Sequence, residues 1–196
     1  RANLTEPVDV GLDAQGRVYV ADHTDNRVAV FDVSERYARH LIDIPVDKPQ
    51  AVQVSRRSGA VYVLSGRKKI RLQRFDRSEE LTFTASVDME LGSHRYDPPP
   101  IRYGILALDE SAEPAILWTS YPLLRIEDRG KAGLAITANL RDEQRVGPES
   151  IGSVMEMSVD RRSGRVYIGN RAFYDPADGK LHRFKNDQRG KWPHAY

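Results

Sequence analysis

The sequence predicts an all-β fold built from one repeated unit. A turn followed by an alternating strand recurs four times along the 196 residues. Apolar and polar residues alternate over most segments, β-branched residues are frequent, and helical periodicity is nearly absent, which together favour strands. Repetition of this kind determines the architecture before any individual residue is interpreted.

The repeat is found by aligning the turn and the strand that follows it. Residues 12–20 match residues 54–63 and 159–168, and a weaker copy covers residues 108–118. The aligned positions are Val18, Val61, Ile116 and Val166, at spacings of 43, 55 and 50 residues. Spacings of this size are typical of the four-stranded blades of a β-propeller.

The first copy shows how each strand is predicted. Residues 8–12 alternate between apolar and polar side chains, and Gly16 turns the chain into a second strand at residues 18–20. A third strand is predicted at residues 27–31 and a fourth at residues 38–44. The same order applied to every copy predicts one domain, residues 1–196, with blades at residues 5–45, 49–91, 101–141 and 153–196.

The ends of the third strands indicate how complete each blade is. They are marked by Phe31, Phe75, Ile126 and Phe184. With Phe184 at that position, the outer strand of the fourth blade would only begin where the sequence stops. We therefore expect an incomplete last blade, which either belongs to a larger propeller or requires another chain or segment to complete it, since an unpaired sheet edge promotes aggregation.

The first copy resembles an NHL repeat. It has Pro7 before an apolar strand, an Asp-x-x-Gly turn at residues 13–16, a Val-Ala-Asp ending at Asp22 and an Asn-Arg-Val start at residues 26–28. The later copies depart from this pattern, with Ser65, Ser120 and Asn170 aligned to Asp22. The resemblance implies four NHL-like blades, and a fold of this kind carries many activities.

Composition limits the classes of function. Charged residues make up 30% of the chain, there is no Cys, and no apolar run approaches a membrane span. Lys and Arg number 30 against 28 for Asp and Glu, so bulk charge gives no reason to expect a nucleic-acid partner. The chain starts without Met, and many bacterial relatives of the repeat are exported, so an extracytoplasmic location is expected.

Blade topology predicts where a ligand would bind. The loops between second and third strands, and those between blades, emerge on one face, where related propellers usually bind ligands. Two of these loops, residues 92–103 and 170–179, are long, and long ordered loops are often functional. The predicted rim is basic and aromatic and comprises Arg67, Lys68, His94, Arg95, Tyr96, Tyr121, Arg171 and Tyr174. Its expected ligand is a protein segment of acidic character, a glycan or another polyanion; the competing interpretation is an ordinary solvated loop rim.

The opposite face carries a second basic signal. Arg56-Arg57 and Arg161-Arg162 occupy the same turn of two copies, which would suit an RNA-binding NHL domain. The other two copies have Ala14-Gln15 or acidic residues there, so no continuous basic stripe forms and solvation of the turns explains the pairs better.

Two enzyme classes resemble this chain in their repeats. Gluconolactonase-like lactonases hold a calcium ion in the propeller channel, and the oxygen-bearing candidates here are Glu6, Asp22, Glu149 and Asn170. A peptide-amidating lyase would need channel histidines for zinc, and His23 alone is suitably placed. Asp22 and Arg27 are instead expected to pair and fix a loop. The sequence therefore favours a non-catalytic binding module without a cofactor, with the calcium-dependent hydrolase and the RNA-binding domain as alternatives.

Overall fold

The fold is known from a computed structural model. It describes residues 3–33, 37–67, 69–77, 81–90, 104–120, 122–140, 154, 156–169 and 171–184. The described residues form antiparallel sheets of four strands each, and a 3₁₀ turn at Gly130–Ala132 precedes the last strand of the third sheet. Within these residues no helix is both long and apolar enough to cross a membrane.

The first two sheets follow each other along the chain in simple up-and-down order. Sheet 1 consists of β1 (Pro7–Leu12), β2 (Arg17–Asp22), β3 (Arg27–Asp32) and β4 (Arg39–Pro45). Sheet 2 consists of β5 (Pro49–Val54), β6 (Val61–Ser65), β7 (Lys69–Arg77) and β8 (Leu81–Glu90). Each strand pairs with its neighbour in sequence, as the predicted blades require.

The third and fourth sheets repeat this order. Sheet 3 consists of β9 (Leu106–Asp109), β10 (Ile116–Ser120), β11 (Leu123–Asp128) and β12 (Leu134–Asn139). Sheet 4 consists of β13 (Met157–Val159), β14 (Val166–Ile168), β15 (Ala172–Asp175) and β16 (Lys180–Arg183). The prediction of an all-β fold with four four-stranded units is confirmed.

The expectation of an incomplete last sheet is wrong. The third strand of sheet 4 is β15, and Phe184 follows the fourth strand instead of ending the third. The cause is a tight turn at residues 176–179, where the amide of Ala177 donates to the Asp175 carboxylate and Gly179 adopts a positive φ of 70°. Residues 171–179 therefore consist mainly of a strand and a turn at its far end, whereas the sequence predicted one long loop over 170–179.

Three apolar cores lie between consecutive sheets, because each sheet is apolar on both faces. Tyr19 and Val30 of sheet 1 pack with Val52 and Val61 of sheet 2. Equivalent clusters join sheet 2 to sheet 3 and sheet 3 to sheet 4. The first strands lie next to one another in the order β1, β5, β9 and β13.

The third copy needs a shift of one residue from the sequence alignment. Leu117 packs with sheet 2, as Val61 packs with sheet 1, whereas Ile116 and Trp118 pack with sheet 4. Side chains alternate between the faces of a strand, so Leu117, and not Ile116, is the equivalent of Val61. After this correction Trp118 occupies the position of Tyr19 and Tyr62.

Asp9 links the two innermost strands of sheets 1 and 2. Its carboxylate accepts a 2.8 Å hydrogen bond from the backbone amide of Val52, a fully buried residue of β5. Burial raises the pKa of Asp9 above its usual 3.8, although the hydrogen bonds to Val52 and Val10 act in the opposite direction. Ionisation of Asp9 is therefore less favourable in the folded protein than in the unfolded chain.

We expect Asp9→Ala to lower the free energy of unfolding by about 1–3 kcal/mol, because the Val52 amide is left without an acceptor. Asp9→Asn keeps an acceptor oxygen and should be at least as stable as the native chain at pH 7, because it removes a charge whose folded-state pKa is raised. That advantage should diminish as the pH falls and disappear below 3.8, where the carboxyl becomes protonated in both states. Urea unfolding at several pH values measures both effects; an asparagine variant as unstable as the alanine variant would contradict them.

Candidate functional site

Two kinds of loop lie at the same end of the molecule because the strands are antiparallel. They are the loops that join the second strand to the third, and the connections that join one sheet to the next. We call this end the loop face. Its described residues are 3–6, 22–27, 46–49, 65–67, 69, 104–105, 120, 122, 169 and 171. It is the end at which the sequence predicts ligand binding.

A buried carboxylate organises the first part of the loop face. Asp22 ends β2, and its oxygens accept hydrogen bonds from the backbone amides of Glu6 (2.8 Å) and Thr5 (3.2 Å). The guanidinium of Arg27 lies 3.2 Å away, which confirms the expected pair. Burial acts to raise the pKa of Asp22, but these three partners outweigh it and hold the pKa below its usual value.

Arg27 extends this arrangement to the rest of the loop. Its Nη1 donates to Asp43 at 3.0 Å, and its Nη2 donates to Asp25 at 3.2 Å and to the carbonyl of Asn3 at 2.6 Å. One guanidinium thus joins the start of the described chain, the β2–β3 loop and the outer strand. The pair has the structural role expected from the sequence.

His23 is buried in the same loop. Its backbone amide donates to the carbonyl of Glu6 at 2.9 Å, and its Nδ1 lies 2.9 Å from the carbonyl of Pro49. A carbonyl oxygen only accepts, so Nδ1 carries the proton and donates it to Pro49. The ring therefore ties the first loop to the start of β5 in sheet 2.

Gln50 continues the network into sheet 3, a role that the sequence pattern did not indicate. Its Oε1 accepts a 2.6 Å hydrogen bond from the amide of Gly104, and its Nε2 donates to the carbonyl of Gly66. A Cβ at Gly104 would lie 2.5 Å from the side chain of Leu64, so glycine is required for this approach. The residue type gives no hint of the contact with Gly104, since that partner lies in the next repeat.

Ser120 of sheet 3, like Asp22 of sheet 1, binds the backbone amide of the residue that precedes the first strand of its sheet. Its hydroxyl accepts a 2.8 Å hydrogen bond from the amide of Ile105, just before β9. In both sheets a short polar side chain at the end of the second strand holds the residue that precedes the first strand. After the shift of one residue Ser120 is aligned with Ala21 and not with Asp22, so this similarity does not follow from the alignment.

Two of the predicted rim residues lie on the loop face. Arg67 and Arg171 are exposed, and within the described parts of the chain neither side chain makes a hydrogen bond or ion pair. Lys69, which the sequence did not single out, begins β7 beside Arg67 and is exposed too. Arg67 and Arg171 belong to the predicted basic rim, and Lys69 adds a third exposed cation beside them.

The remaining rim residues divide into two groups. Tyr174 does not belong to the rim, because it lies in β15, is half-buried and packs on Trp118 with ring centroids 4.7 Å apart. Five others lie outside the described residues: Lys68, His94, Arg95, Tyr96 and Tyr121.

The oxygen-bearing residues of the calcium alternative are only partly described. Glu6 accepts a hydrogen bond from the hydroxyl of Thr24, and Asp22 is engaged as above. Glu149 and Asn170 lie outside the described residues. Within the described ranges, no three His, Asp or Glu side chains are grouped closely enough to hold a metal ion.

The turns on the opposite face are held by acidic residues. Glu110 accepts hydrogen bonds from the hydroxyl of Ser55 (2.6 Å) and from the backbone amides of Arg56 and Arg57. The Arg57 guanidinium lies 2.8 Å from Glu113. Acidic side chains of sheet 3 thus interrupt the basic turn of sheet 2, which argues against a continuous phosphate-binding stripe.

A buried polar cluster joins sheets 2 and 3. The Tyr62 hydroxyl donates to Asp128, and the Nε of Arg74 donates to the same carboxylate oxygen at 3.1 Å. Arg74 also lies 2.6 Å from Asp76. Burial and the nearby Asp128 carboxylate raise the pKa of Tyr62, so this phenol stays protonated. The cluster is a structural joint that sequence reasoning missed, because its members come from two repeats.

Comparisons with known proteins agree with this geometry. A family model described as NHL repeat matches residues 4–31. A comparison with curated proteins gives no match. Among solved structures, virginiamycin B lyase from Staphylococcus aureus aligns over 96% of this chain and 58% of its own, with a TM-score of 0.59 and 14% identity. The fold is a β-propeller.

Two further structures show the same propeller arrangement. A putative 6-phosphogluconolactonase from Bacteroides uniformis aligns over 90% of this chain and 53% of its own, with a TM-score of 0.65 and 10% identity. A protein from Lactobacillus plantarum aligns over 94% of this chain and 71% of its own, with a TM-score of 0.52 and 15% identity. The chain thus spans little more than half the length of the lyase and the lactonase-like propeller, and at these identities the likeness concerns the fold alone.

Replacing Asp22 should loosen the loop face in a pH-dependent way. Because its folded-state pKa is lowered, its contribution to stability is complete above pH 3.8 and is lost as the pH falls through the folded-state pKa. We expect Asp22→Asn to cost about 1–3 kcal/mol at pH 7, since Arg27 loses a buried partner, and the difference from the native chain should shrink below pH 3.8.

The matched control is Asp25→Asn, which removes a more exposed carboxylate from the same guanidinium. It should change the free energy of unfolding by less than about 1 kcal/mol. Urea unfolding across pH measures both variants, and equal losses in the two would contradict the central role of Asp22.

Proposed function

We propose that this propeller is a binding module whose loop face recognises an anionic ligand, with an acidic polypeptide segment as the best fit. The observation that carries this proposal is the exposure of Arg67, Lys69 and Arg171 on the loop face, with no described partner for either arginine. Exposed guanidinium groups bind carboxylates in bidentate fashion and are suited to this recognition.

The rigidity of the loops supports binding. His23 connects the first loop to Pro49, and Gln50 connects Gly66 to Gly104, so the backbone beneath the cations is fixed before any ligand arrives. Fixed loops lose little conformational entropy on binding. A surface of this kind fits a ligand that lies across several blades.

The chemistry of the buried groups favours recognition over catalysis. The Asp22 carboxylate and the Gln50 amide both contact backbone groups that hold loops in place. A catalytic acid or base must instead reach the substrate. The described polar groups of the loop face therefore serve to position the loops, and the exposed cations remain for the ligand.

We expect the double variant Arg67→Ala/Arg171→Ala to weaken binding of poly-L-glutamate by at least about tenfold, because two charge-assisted contacts are lost. The control is Arg161→Ala/Arg162→Ala, which removes the same net charge from the opposite face and should bind almost as tightly as the native chain. Isothermal titration at two salt concentrations measures the affinity. Equal losses in both double variants would indicate attraction by net charge alone, and unchanged binding in both would overturn the proposal.

The calcium-dependent hydrolase is the alternative to be tested directly, because the lactonase-like propeller from Bacteroides uniformis shares the fold. A specific calcium site in the channel would stabilise the folded state in proportion to its occupancy. On our proposal, the Tm in the presence of calcium should equal that with magnesium at the same ionic strength. A rise in Tm with calcium alone that is lost in Glu6→Gln would favour the hydrolase and contradict the binding module.

A further inference from the structure

The two outward faces of the stack of sheets carry apolar and aromatic residues, several of whose equivalents in the other sheets are buried. We call the outward face of sheet 1 the leading face; its residues are Val10, Leu12, Val18 and Phe31. We call the outward face of sheet 4 the trailing face; its residues are Tyr167, Phe173, His182 and Phe184. These faces lie on the sides of the blades, away from the loop face, and no residue of the proposed binding surface belongs to them.

The leading face is the exposed equivalent of a buried surface. Val10 and Leu12 are 54% and 51% exposed, whereas Val52 and Val54, at the same register positions of β5, are 0% and 6% exposed. Val52 and Val54 are buried because they pack against sheet 1. Val10 and Leu12 thus have the apolar side chains of an interface between sheets, but no described sheet packs against them.

On the trailing face, too, an aromatic residue is more exposed than its equivalents in the other sheets. Tyr19, Tyr62 and Trp118 are each 1% exposed and pack towards the next sheet. Tyr167 is the fourth member of this series, and it is only half-buried.

Tyr167 stands in an aromatic layer. Its ring is parallel to that of Phe184 at 6.4 Å, and Phe173 stacks on His182 at 5.1 Å. The guanidinium carbon of Arg165 lies 5.4 Å from the centre of the Phe173 ring. An aromatic layer of this extent on a sheet face is typical of a surface that packs against a partner.

The two faces complement each other as neighbouring sheets do within the chain. At every internal junction an aromatic side chain packs on aliphatic residues of the next sheet: Tyr19 on Val61, Tyr62 on Leu117, and Trp118 on Val166. The trailing face is aromatic and the leading face is largely aliphatic. A junction between them would repeat the internal pattern with the same orientation of the sheets.

We propose that a second copy of this chain occupies both faces, so that two chains join head to tail into a closed ring of eight blades. The trailing face of each chain packs on the leading face of the other, which makes two equivalent junctions related by a two-fold axis. A ring of eight lies within the range of about four to eight blades that propellers adopt.

The proposal predicts a specific pattern of association, measured by sedimentation equilibrium on the complete chain. The native chain should sediment at twice its 22.2 kDa. Leu12→Glu blocks the leading face and Phe173→Glu blocks the trailing face, and each alone should be monomeric, because a buried unpaired charge weakens each junction by at least about a hundredfold. An equimolar mixture of the two variants should form a one-to-one dimer through the single junction that remains intact.

Each other outcome overturns the proposal. A monomeric native chain would show that no second copy binds, and further blades of a longer polypeptide would then be the occupants to test. Mixed variants that fail to associate would exclude a head-to-tail junction, and polymers larger than a dimer would exclude the closed ring. Circular dichroism verifies the fold of each variant. If Leu12→Glu fails to fold, Val10→Glu replaces it, because Val10 is an exposed residue of the same face. If Phe173→Glu fails to fold, Tyr167→Gln at a half-buried position of the trailing face replaces it.

Discussion

The packing of one sheet against the next is the interaction on which the rest of this structure depends. A four-stranded sheet with two apolar faces is not stable alone in water, and each sheet here covers one face of its neighbour. Trp118, Tyr19 and Tyr62 are the largest fully buried side chains, and each lies at a different junction. The same position recurs in each copy, and the first strands of consecutive sheets lie next to one another.

The loop face is a consequence of this packing. Once the sheets are fixed, the ends of the second strands and the connections between sheets lie close together, and their backbone groups need partners. Asp22 and Ser120 supply them within a sheet, while His23 and Gln50 supply them between sheets. The polar side chains that look most like a catalytic site are thus used to hold backbone, and the exposed cations are left for ligand recognition.

The sequence predicted the parts of this fold that depend on local pattern. Alternation and the recurring Gly turn located the strands of the first two copies, and the pairing of Asp22 with Arg27 followed from their spacing. The wrong strand assignments lie in the third and fourth copies, where the repeat pattern is weak or fits more than one alignment. A shift of one residue in the third copy exchanged the two faces of β10, and the polar run from Asp175 to Gly179 was assigned to the wrong end of the blade.

Contacts between repeats were beyond sequence reasoning for a physical reason. Gly104, which binds Gln50, and Asp128, which binds Tyr62, lie 54 and 66 residues away along the chain, and no local pattern encodes which groups meet across a sheet junction. The leading and trailing faces, likewise, can be interpreted only by comparison with the other repeats. A Val or Tyr at a repeat position is informative only when its equivalents are known to be buried, so the outward faces became recognisable as interfaces only after the three internal junctions had defined what those positions do.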